Sequence, residues 1–397
     1  MSPTLRRTSI AAVLLALPLA LVFQYGGSFI EARTNRVVDH APADISADAR
    51  RLHASLVVGD WHADTLMWRP DLLERADTGH VDIPRLREGN VALQMFTTVS
   101  KVPMFRDHVS NNADTPDAML LQALLQTWPL RAWSDLTERT LLQGDRLLAV
   151  AAQAPEALMV IRSQEDLKQL LARRAAGEAV IGGLLGVEGG HALEGRIGSL
   201  DRLYERGFRM IGLQHFFDNA LGGSLHGQTK GGLTPFGREV VERMDALDMI
   251  IDLAHASEAV VADVLAISKR PPVVSHTGFR GNCDKPRNIP DALVQRIVDA
   301  GGLVAVGFWA KAICDASPEG IVASLRYGID RFGIDHIALG SDFDGGTTTH
   351  IDSAELATLT QGMLEAGFSE GEIRQVMGGN MVRFLRENLP AGDTPAG

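Results

Sequence analysis

The chain has 397 residues, of which 45% are hydrophobic and 22% charged, a composition typical of a globular protein with a sizeable core. Its 38 Lys and Arg residues against 49 Asp and Glu residues give a net charge of −11, which argues against a nucleic-acid partner. The two cysteines, Cys283 and Cys314, allow at most one disulfide, so the fold does not depend on a disulfide framework.

The N-terminus has the pattern of a targeting segment. Arg6 and Arg7 precede an apolar run without charge over residues 10–23, and the apolar region approaches the roughly 20 residues that span a bilayer. Because no clear Ala-x-Ala cleavage site follows, an uncleaved anchor is favoured over a removed signal peptide. The arginines then place the body of the protein outside the cytoplasm, either membrane-anchored or secreted, and on the periplasmic side in a bacterium. We assign residues 1–34 to this segment and 35–50 to a linker.

Eight short apolar runs follow, separated for the most part by segments of helical pattern. Apolar runs that do not alternate with polar residues are typical of parallel strands covered on both faces. Eight strand–helix units favour an α/β fold of the (β/α)8 TIM-type over an open doubly wound sheet, and we predict one such domain over residues 51–397. The predicted strands are 56–60, 91–99, 179–187, 208–213, 249–253, 272–275, 303–307 and 336–340.

The helical segments carry their own start signals. Ser163 with Asp166 three residues later is typical of a helix start, as is Thr234 followed by Pro235. A long helical region over 118–154 is expected to break near Pro129, since proline removes a backbone donor. Further helices are predicted over 258–267, 291–300 and 318–332, and from Ala354 and Glu370 onward.

Side chains that bind metals or transfer protons follow six of the eight predicted strands. In a parallel barrel these positions share the rim at the carboxyl ends of the strands, where active sites lie. One such residue would mean little, but residues of this kind after six strands, in phase with the strand pattern, predict a metal centre. They are His62 and Asp64 after the first strand, Glu188 after the third, His215 after the fourth, His255 after the fifth, His276 after the sixth and Asp342 after the eighth.

This set of residues is too large for one catalytic zinc ion, which takes about three protein ligands, and it suits two ions. Glu188 is the best bridging candidate, because a carboxylate has two oxygens to share. Two dications, balanced by Asp64, Glu188, Asp342 and a bridging hydroxide, give a nearly neutral site, which a buried position tolerates. The sequence therefore predicts a binuclear centre of the metal-dependent hydrolase kind.

These residues and their surroundings resemble the membrane dipeptidase (renal dipeptidase) family of zinc peptidases. The resemblance implies a (β/α)8 barrel that holds two zinc ions and hydrolyses dipeptides, and a homodimer would fit the family. It assigns His62 and Asp64 to the first zinc, Glu188 to the bridge, and His255 and His276 to the second zinc. The matching stretches are 60–64, 80–86, 186–191, 232–237, 251–257, 274–276, 287–290 and 340–345.

The resemblance also assigns roles around the substrate. It implies that His215 contacts the substrate and the developing oxyanion, that Arg287 holds the substrate carboxylate, and that Asp342 transfers the proton while a metal-bridging hydroxide attacks. By spacing alone, Arg280 would be placed as well as Arg287 to hold the substrate carboxylate. The match is poor over 101–162 and 216–231, which are expected to shape the pocket, and Trp309 is either a pocket residue or a packing residue.

Two alternatives stay open at this point. The first is another binuclear barrel hydrolase acting on a lactone, a cyclic amide or a phosphotriester, and the second is a membrane-anchored binding protein without activity. Arg287 argues against the first, because such substrates need no carboxylate partner. The complete ligand set argues against the second. Four further residues have no firm role: His191 and His226 are unassigned, and Asp252 and Asp344 are candidates for orienting a neighbour.

Overall fold

The centre of the molecule is a closed barrel of eight parallel strands, seen in a computed structural model that describes residues 26–68 and 71–392. The strands are β1 Arg36–Val37, β2 Val58–Ala63, β3 Val91–Val99, β4 Leu158–Val160, β5 Ile181–Glu188, β6 Phe208–Gly212, β7 Ile250–Asp252, β8 Val273–Thr277, β9 Leu303–Val306, β10 Ile337–Leu339 and β11 Thr348–Thr349. Around the barrel the order is β3, β2, β10, β9, β8, β7, β6, β5, and the pairing of β5 with β3 closes the ring. The predicted (β/α)8 fold is confirmed.

Helices surround the barrel on its outside. They are α1 Ala47–Ala54, α2 Ile83–Glu88, α3 Ala118–Leu125, α4 Arg131–Ser134, α5 Leu136–Gln153, α6 Gln164–Ala175, α7 Ile197–Arg206, α8 Pro235–Ala246, α9 Glu258–Ile267, α10 Asp291–Asp299, α11 Ala310–Ile313, α12 Pro318–Phe332, α13 Ala357–Glu365, α14 Glu370–Arg374 and α15 Asn380–Asn388. The expected break near Pro129 separates α3 from α4. Both predicted starts are confirmed: the Ser163 side chain accepts from the Asp166 N–H, and that of Thr234 from the Gly237 N–H.

The strands contribute side chains to two apolar layers. Leu184 and Met210 pack in a cluster that includes Trp61 and Phe384 of α15, whose rings meet edge to face at 5.6 Å. Their chain neighbours, such as Leu185, belong instead to the larger cluster shared with the surrounding helices. Successive strand residues point to opposite faces, so this division is the expected packing of a filled barrel inside a helical shell.

The predicted strands locate the eight barrel strands, and the structure adds shorter ones. β4 pairs with the first residues of β5, and β6 pairs with the later residues of β5 on the same edge. β1 and β11 form a separate two-stranded parallel sheet beside the barrel. The first barrel strand, β2, ends at Ala63, beyond the apolar run 56–60 that predicts it. His62 therefore lies within the strand and not after it.

The segment before the barrel packs onto it. Residues 26–34 are helical and lead into β1. The apolar run over residues 10–23 that predicts a membrane anchor lies outside the described residues. Within the described ranges, no helix combines the length and the apolar character that crossing a bilayer requires.

Candidate metal centre and substrate pocket

A cavity of about 610 Å³ opens where the barrel strands end, and the candidate residues meet in it. They come from the ends of six strands or the loops after them, so the closed barrel brings residues that are distant in sequence together in space. His62 lies fully buried beside them. The candidate residues that line the cavity are Asp64, Glu188, His215, His255, His276, Arg287 and Asp342.

Glu188 is at the centre of the cluster. Its Oε1 lies 3.1 Å from Nε2 of His255, 3.4 Å from Nε2 of His276 and 3.6 Å from Nε2 of His62. Its Oε2 lies 3.2 Å from Nε2 of His215. A single carboxylate thus faces four imidazoles with both oxygens, which is the placement that a bridging ligand requires.

The ligand atoms form overlapping groups rather than two separate sets. Nε2 of His255 and Nε2 of His276 are only 2.9 Å apart, and Asp64 lies 3.4 Å from Nε2 of His62. The geometry alone therefore does not divide the residues between two ions as the family resemblance does. The groups whose ligand atoms all lie within 4.8 Å are His62, Asp64 and Glu188; Glu188, His215 and His255; and His62, His276 and Asp342.

The histidines present the chemistry that a cation needs. Burial lowers the pKa of His215, His255 and His276 well below the ordinary value, so these rings are neutral and keep a lone pair for a metal. Nε2 of His62 is buried without a hydrogen-bond partner, although it faces two carboxylates. Buried donor atoms that converge in this way fit a metal ion.

The carboxylates carry the matching electrostatic signature. Burial and the nearby Asp64 carboxylate raise the pKa of Glu188 well above its ordinary value, and burial raises the pKa of Asp342 to about 7. Burial lowers the pKa of His62, but the carboxylates of Asp64 and Glu188 outweigh it and raise that pKa to about 10. The buried carboxylates therefore favour a positive charge close to them, and metal cations would supply that charge.

One hydroxyl orients two of the histidines. Ser275 donates to Oδ2 of Asp252 at 2.6 Å, and its oxygen lies 3.1 Å from Nδ1 of His62 and 2.9 Å from Nδ1 of His276. Because this oxygen gives its own proton to Asp252, it accepts from both rings. Each Nδ1 then carries its hydrogen, and each Nε2 faces the centre, where a bound cation would take the place of a proton. Asp252, a candidate orienting residue, thus acts through Ser275.

Two site residues adopt backbone conformations that are uncommon outside glycine. His255 has φ +64° and Asp342 has φ +61°, both in the left-handed region. Such conformations cost about 1–3 kcal/mol and concentrate at functional sites. Both residues lie in the loops that follow barrel strands, His255 after β7 and Asp342 after β10.

Arg287 lies at the edge of the centre and is almost fully buried. Its Nη2 donates to the His276 carbonyl at 2.7 Å, and its guanidinium stands 5.6 Å from the centre of the Trp309 ring. Its Nη1 is buried without a hydrogen-bond partner, while the alternative Arg280 bonds Glu258 at the surface. Arg287 therefore has a donor available to a ligand in the cavity, and Trp309 lines the same cavity.

One wall of the cavity comes from the stretches that match the family poorly. The loop after β3 and helix α3 contribute most of that wall, and from 216–231 only Phe216 takes part. Arg106 and Lys311 add positive charge. The sequence did not predict a role for either residue, because neither lies in a motif that indicates one. The apolar lining residues are Ile30, Met67, Trp68, Val99, Val102, Pro103, Met104, Ala118, Met119, Leu121, Phe216, Trp309 and Ala310.

The unassigned residues lie outside the centre. His191 is buried and contacts the Phe217 ring, and Nδ1 of His226 lies 2.7 Å from the His108 carbonyl oxygen. Asp344 accepts from the Thr65 hydroxyl and from the His80 N–H, so it holds the loop after β2 against the loop after β10.

Comparison with known proteins points to one family. The family described as "Membrane dipeptidase (Peptidase family M19)" matches residues 46–393. "Dipeptidase verJ" from Clonostachys rogersoniana is 29% identical over 360 residues, covering 86% of this chain and 87% of the relative.

Solved structures share the fold over most of their length. The probable dipeptidase PvdM from Pseudomonas aeruginosa gives a TM-score of 0.72 at 20% identity, covering 86% of this chain and 98% of that one. A metallo peptidase from Rhodobacter sphaeroides, solved with a phosphinate mimic of the dipeptide L-Ala-D-Ala, gives 0.68 at 24% identity, covering 84% and 99%. With the family match spanning the whole barrel, this chain belongs to the membrane dipeptidase family, peptidase family M19.

Proposed function

We propose that this member of the family is a dipeptidase that uses two zinc ions to cleave the peptide bond of dipeptides with a free C-terminal carboxylate. The observation that carries the proposal is Glu188, whose two oxygens face four histidines at the carboxyl-end rim. His62 and Asp64 would hold one ion, His255 and His276 the other, and Glu188 both. A dipeptide substrate also agrees with the fold relative solved with a phosphinate dipeptide mimic.

When bound, the two ions supply a Lewis acid for the substrate carbonyl and an acidified water as nucleophile. Asp342 accepts the proton of that water and returns it to the leaving amine, a role suited to a carboxyl whose pKa is raised to about 7. His215 donates a hydrogen bond to the carbonyl oxygen as negative charge develops there. Its Nε2 is 3.2 Å from Glu188, so it stands directly beside the reaction centre.

Arg287 selects the substrate class. Its free Nη1 and the adjacent Nη2 can bind the C-terminal carboxylate, and this fixes the scissile bond over the metal centre. A carboxylate held so close behind the scissile bond leaves room for one residue on that side. Lactones and phosphotriesters offer no such group, which disfavours another hydrolase chemistry, and the complete ligand set disfavours an inactive binding protein.

We further propose that the enzyme works outside the cytoplasm, attached through the apolar run over residues 10–23. A disulfide joins Cys283 and Cys314, and such bonds persist mainly in oxidising compartments. The apolar run behind Arg6 and Arg7 supports the membrane attachment. A homodimer is proposed from the family resemblance, and light scattering of the detergent-solubilised chain would test it.

The decisive experiment combines metal analysis with a substrate panel. Full-length protein purified in detergent should contain about two zinc ions per chain and cleave simple dipeptides, while the corresponding dipeptide amides should be poor substrates. A chelator should abolish the activity and added zinc should restore it. Full activity in metal-free protein would contradict the proposal, as would equal turnover of dipeptides and their amides.

A further inference from the structure

A segment outside the family domain forms part of the substrate pocket. The family match begins at residue 46, yet Ile30 and Thr34 line the same cavity as Glu188 and Asp342. We call residues 26–38 the strap. The strap precedes the residues that the family match covers.

The strap is fixed to the loop that carries Asp342. Its Arg36 N–H donates to the Thr347 carbonyl at 3.1 Å, and its Val38 N–H donates to the Thr349 carbonyl at 2.8 Å. The Asn35 side chain is buried and accepts from the Gly346 N–H at 2.8 Å. These bonds join the strap to β11 and to the residues just before it, all within eight residues of Asp342.

The other end of the strap rests on α3. A Cβ atom placed on Gly26 would lie 2.9 Å from a methyl carbon of Leu125, and one on Gly27 would lie 3.2 Å from Cγ of Gln126. Helix α3 itself lines the cavity through Met119 and Leu121. The strap therefore spans from one wall of the pocket to another across the rim above β2, which lies between β3 and β10.

This position is across the barrel from Arg287. In the ring order β7 is opposite β2, and β8, which Arg287 follows, is the neighbour of β7. A dipeptide whose carboxylate is held by Arg287 and whose scissile bond lies at Glu188 would then extend its N-terminal residue toward the strap. The Thr34 hydroxyl is already bonded to the Ile30 carbonyl at 2.9 Å, so the strap offers this residue chiefly the apolar side chain of Ile30.

We propose that the strap closes the pocket at the N-terminal end of the substrate, and that Ile30 determines the largest N-terminal residue or extension that can bind. The proposal rests on the dipeptidase function proposed above. In this proposal, residues 26–38 exclude peptides that are extended at the N-terminus, while Arg287 selects for the C-terminal carboxylate.

The test uses the zinc-loaded full-length chain and three variants. Ile30→Trp should raise KM about 10-fold for dipeptides with a phenylalanine at the N-terminal position and change it less than 2-fold for Gly-Gly. Ile30→Ala should raise kcat/KM for tripeptides about 10-fold. Phe29→Ala is the matched control, since Phe29 is 57% exposed and does not line the cavity, and it should match wild type throughout.

Zinc content and melting temperature of each variant exclude misfolding as the cause of a change. If neither Ile30 variant alters the ranking of substrates, the strap does not set specificity. If wild type cleaves no dipeptide at all, the proposed function fails, and the strap is judged by calorimetry with a phosphinate dipeptide mimic bearing an N-terminal phenylalanine side chain. Binding about 10-fold weaker to Ile30→Trp supports the strap, and unchanged binding refutes it.

Discussion

At the scale of single residues, the hydroxyl of Ser275 contacts two of the candidate metal ligands. It accepts from His62 and His276, which the family resemblance assigns to different ions, and donates to Asp252. Asp252 in turn accepts from the backbone N–H groups of Ala254 and Ser275. A ligand that is oriented through its second ring nitrogen loses affinity for metal when that support is removed.

Ser275→Ala should therefore weaken zinc binding about 10- to 100-fold, because both His62 and His276 lose the acceptor that fixes their tautomer. Competition with a chromophoric chelator measures this affinity independently of turnover. Ser324→Ala is the matched control, since Ser324 is equally buried but its hydroxyl has no hydrogen-bond partner. Equal zinc affinity in both variants would show that the Ser275 contacts do not orient the ligands.

Arg287→Ala should lower kcat/KM for dipeptides about 30- to 1,000-fold, the equivalent of losing about 2–4 kcal/mol of charge-assisted hydrogen bonding. Turnover of dipeptide amides should change less than about 5-fold, since they lack the carboxylate. Arg280→Ala supplies the control, because this neighbouring arginine bonds Glu258 outside the cavity. Equal loss on both substrate types would mean that Arg287 supports the fold rather than the carboxylate.

The position of the candidate ligands could be predicted from the sequence because each directly follows an apolar strand, and a parallel barrel brings all strand ends to one rim. Ser275 could not be given its role in this way. Its partners Asp252 and His62 are 23 and 213 residues distant, and only the packed barrel brings them together. Lys311 likewise reaches the pocket through the fold and not through a local motif.

At the scale of elements, the disulfide ties two pocket segments together. Cys283 lies in the loop between β8 and α10 that carries Arg287, and Cys314 follows α11 just after Trp309. The loop is also held by Asn288, whose amide donates to the carbonyls of Cys283 and Ala312. The arginine and the ring beside it are thereby held at a fixed separation.

Replacing both cysteines by serine should lower the stability of the protein by about 3–4 kcal/mol, given the 31-residue separation of the pair. KM for dipeptides should rise several-fold while kcat changes little, because the metal ligands lie on other segments. Steady-state kinetics and thermal unfolding test both parts. A large fall in kcat with unchanged KM would show that the bond serves the metal centre instead of the Arg287 loop.

The eight barrel strands were predictable because each is an apolar run buried on both faces. The remaining strands were not. β4 has three residues after a long helix, and β1 and β11 have two each, too few for any pattern to stand out. β1 also pairs with a segment more than 300 residues away, so nothing near residue 36 indicates a strand.

At the scale of the whole molecule, the candidate metal centre connects distant parts of the barrel. Its residues come from the ends of β2, β5, β6, β7, β8 and β10, which lie around most of the ring. Without cations, three carboxylates, Asp64, Glu188 and Asp342, share one buried cavity, and the raised pKa of Glu188 and of Asp342 reflects the cost of charging them there. Cations that bind only the folded barrel remove this cost and stabilise the native state.

Removing zinc should therefore lower the melting temperature by about 5–10 °C. A ligand present at about 1,000 times its Kd stabilises the folded state by about 4 kcal/mol, and each kcal/mol corresponds to roughly 2 °C in a large domain. Calorimetry before and after chelation, with zinc added back, measures the shift. Asp64→Asn removes one ligand charge, so its melting temperature should respond much less to the chelator. An unchanged melting temperature in wild type would mean that the barrel closes without the metal, and that its strand ends converge through packing alone.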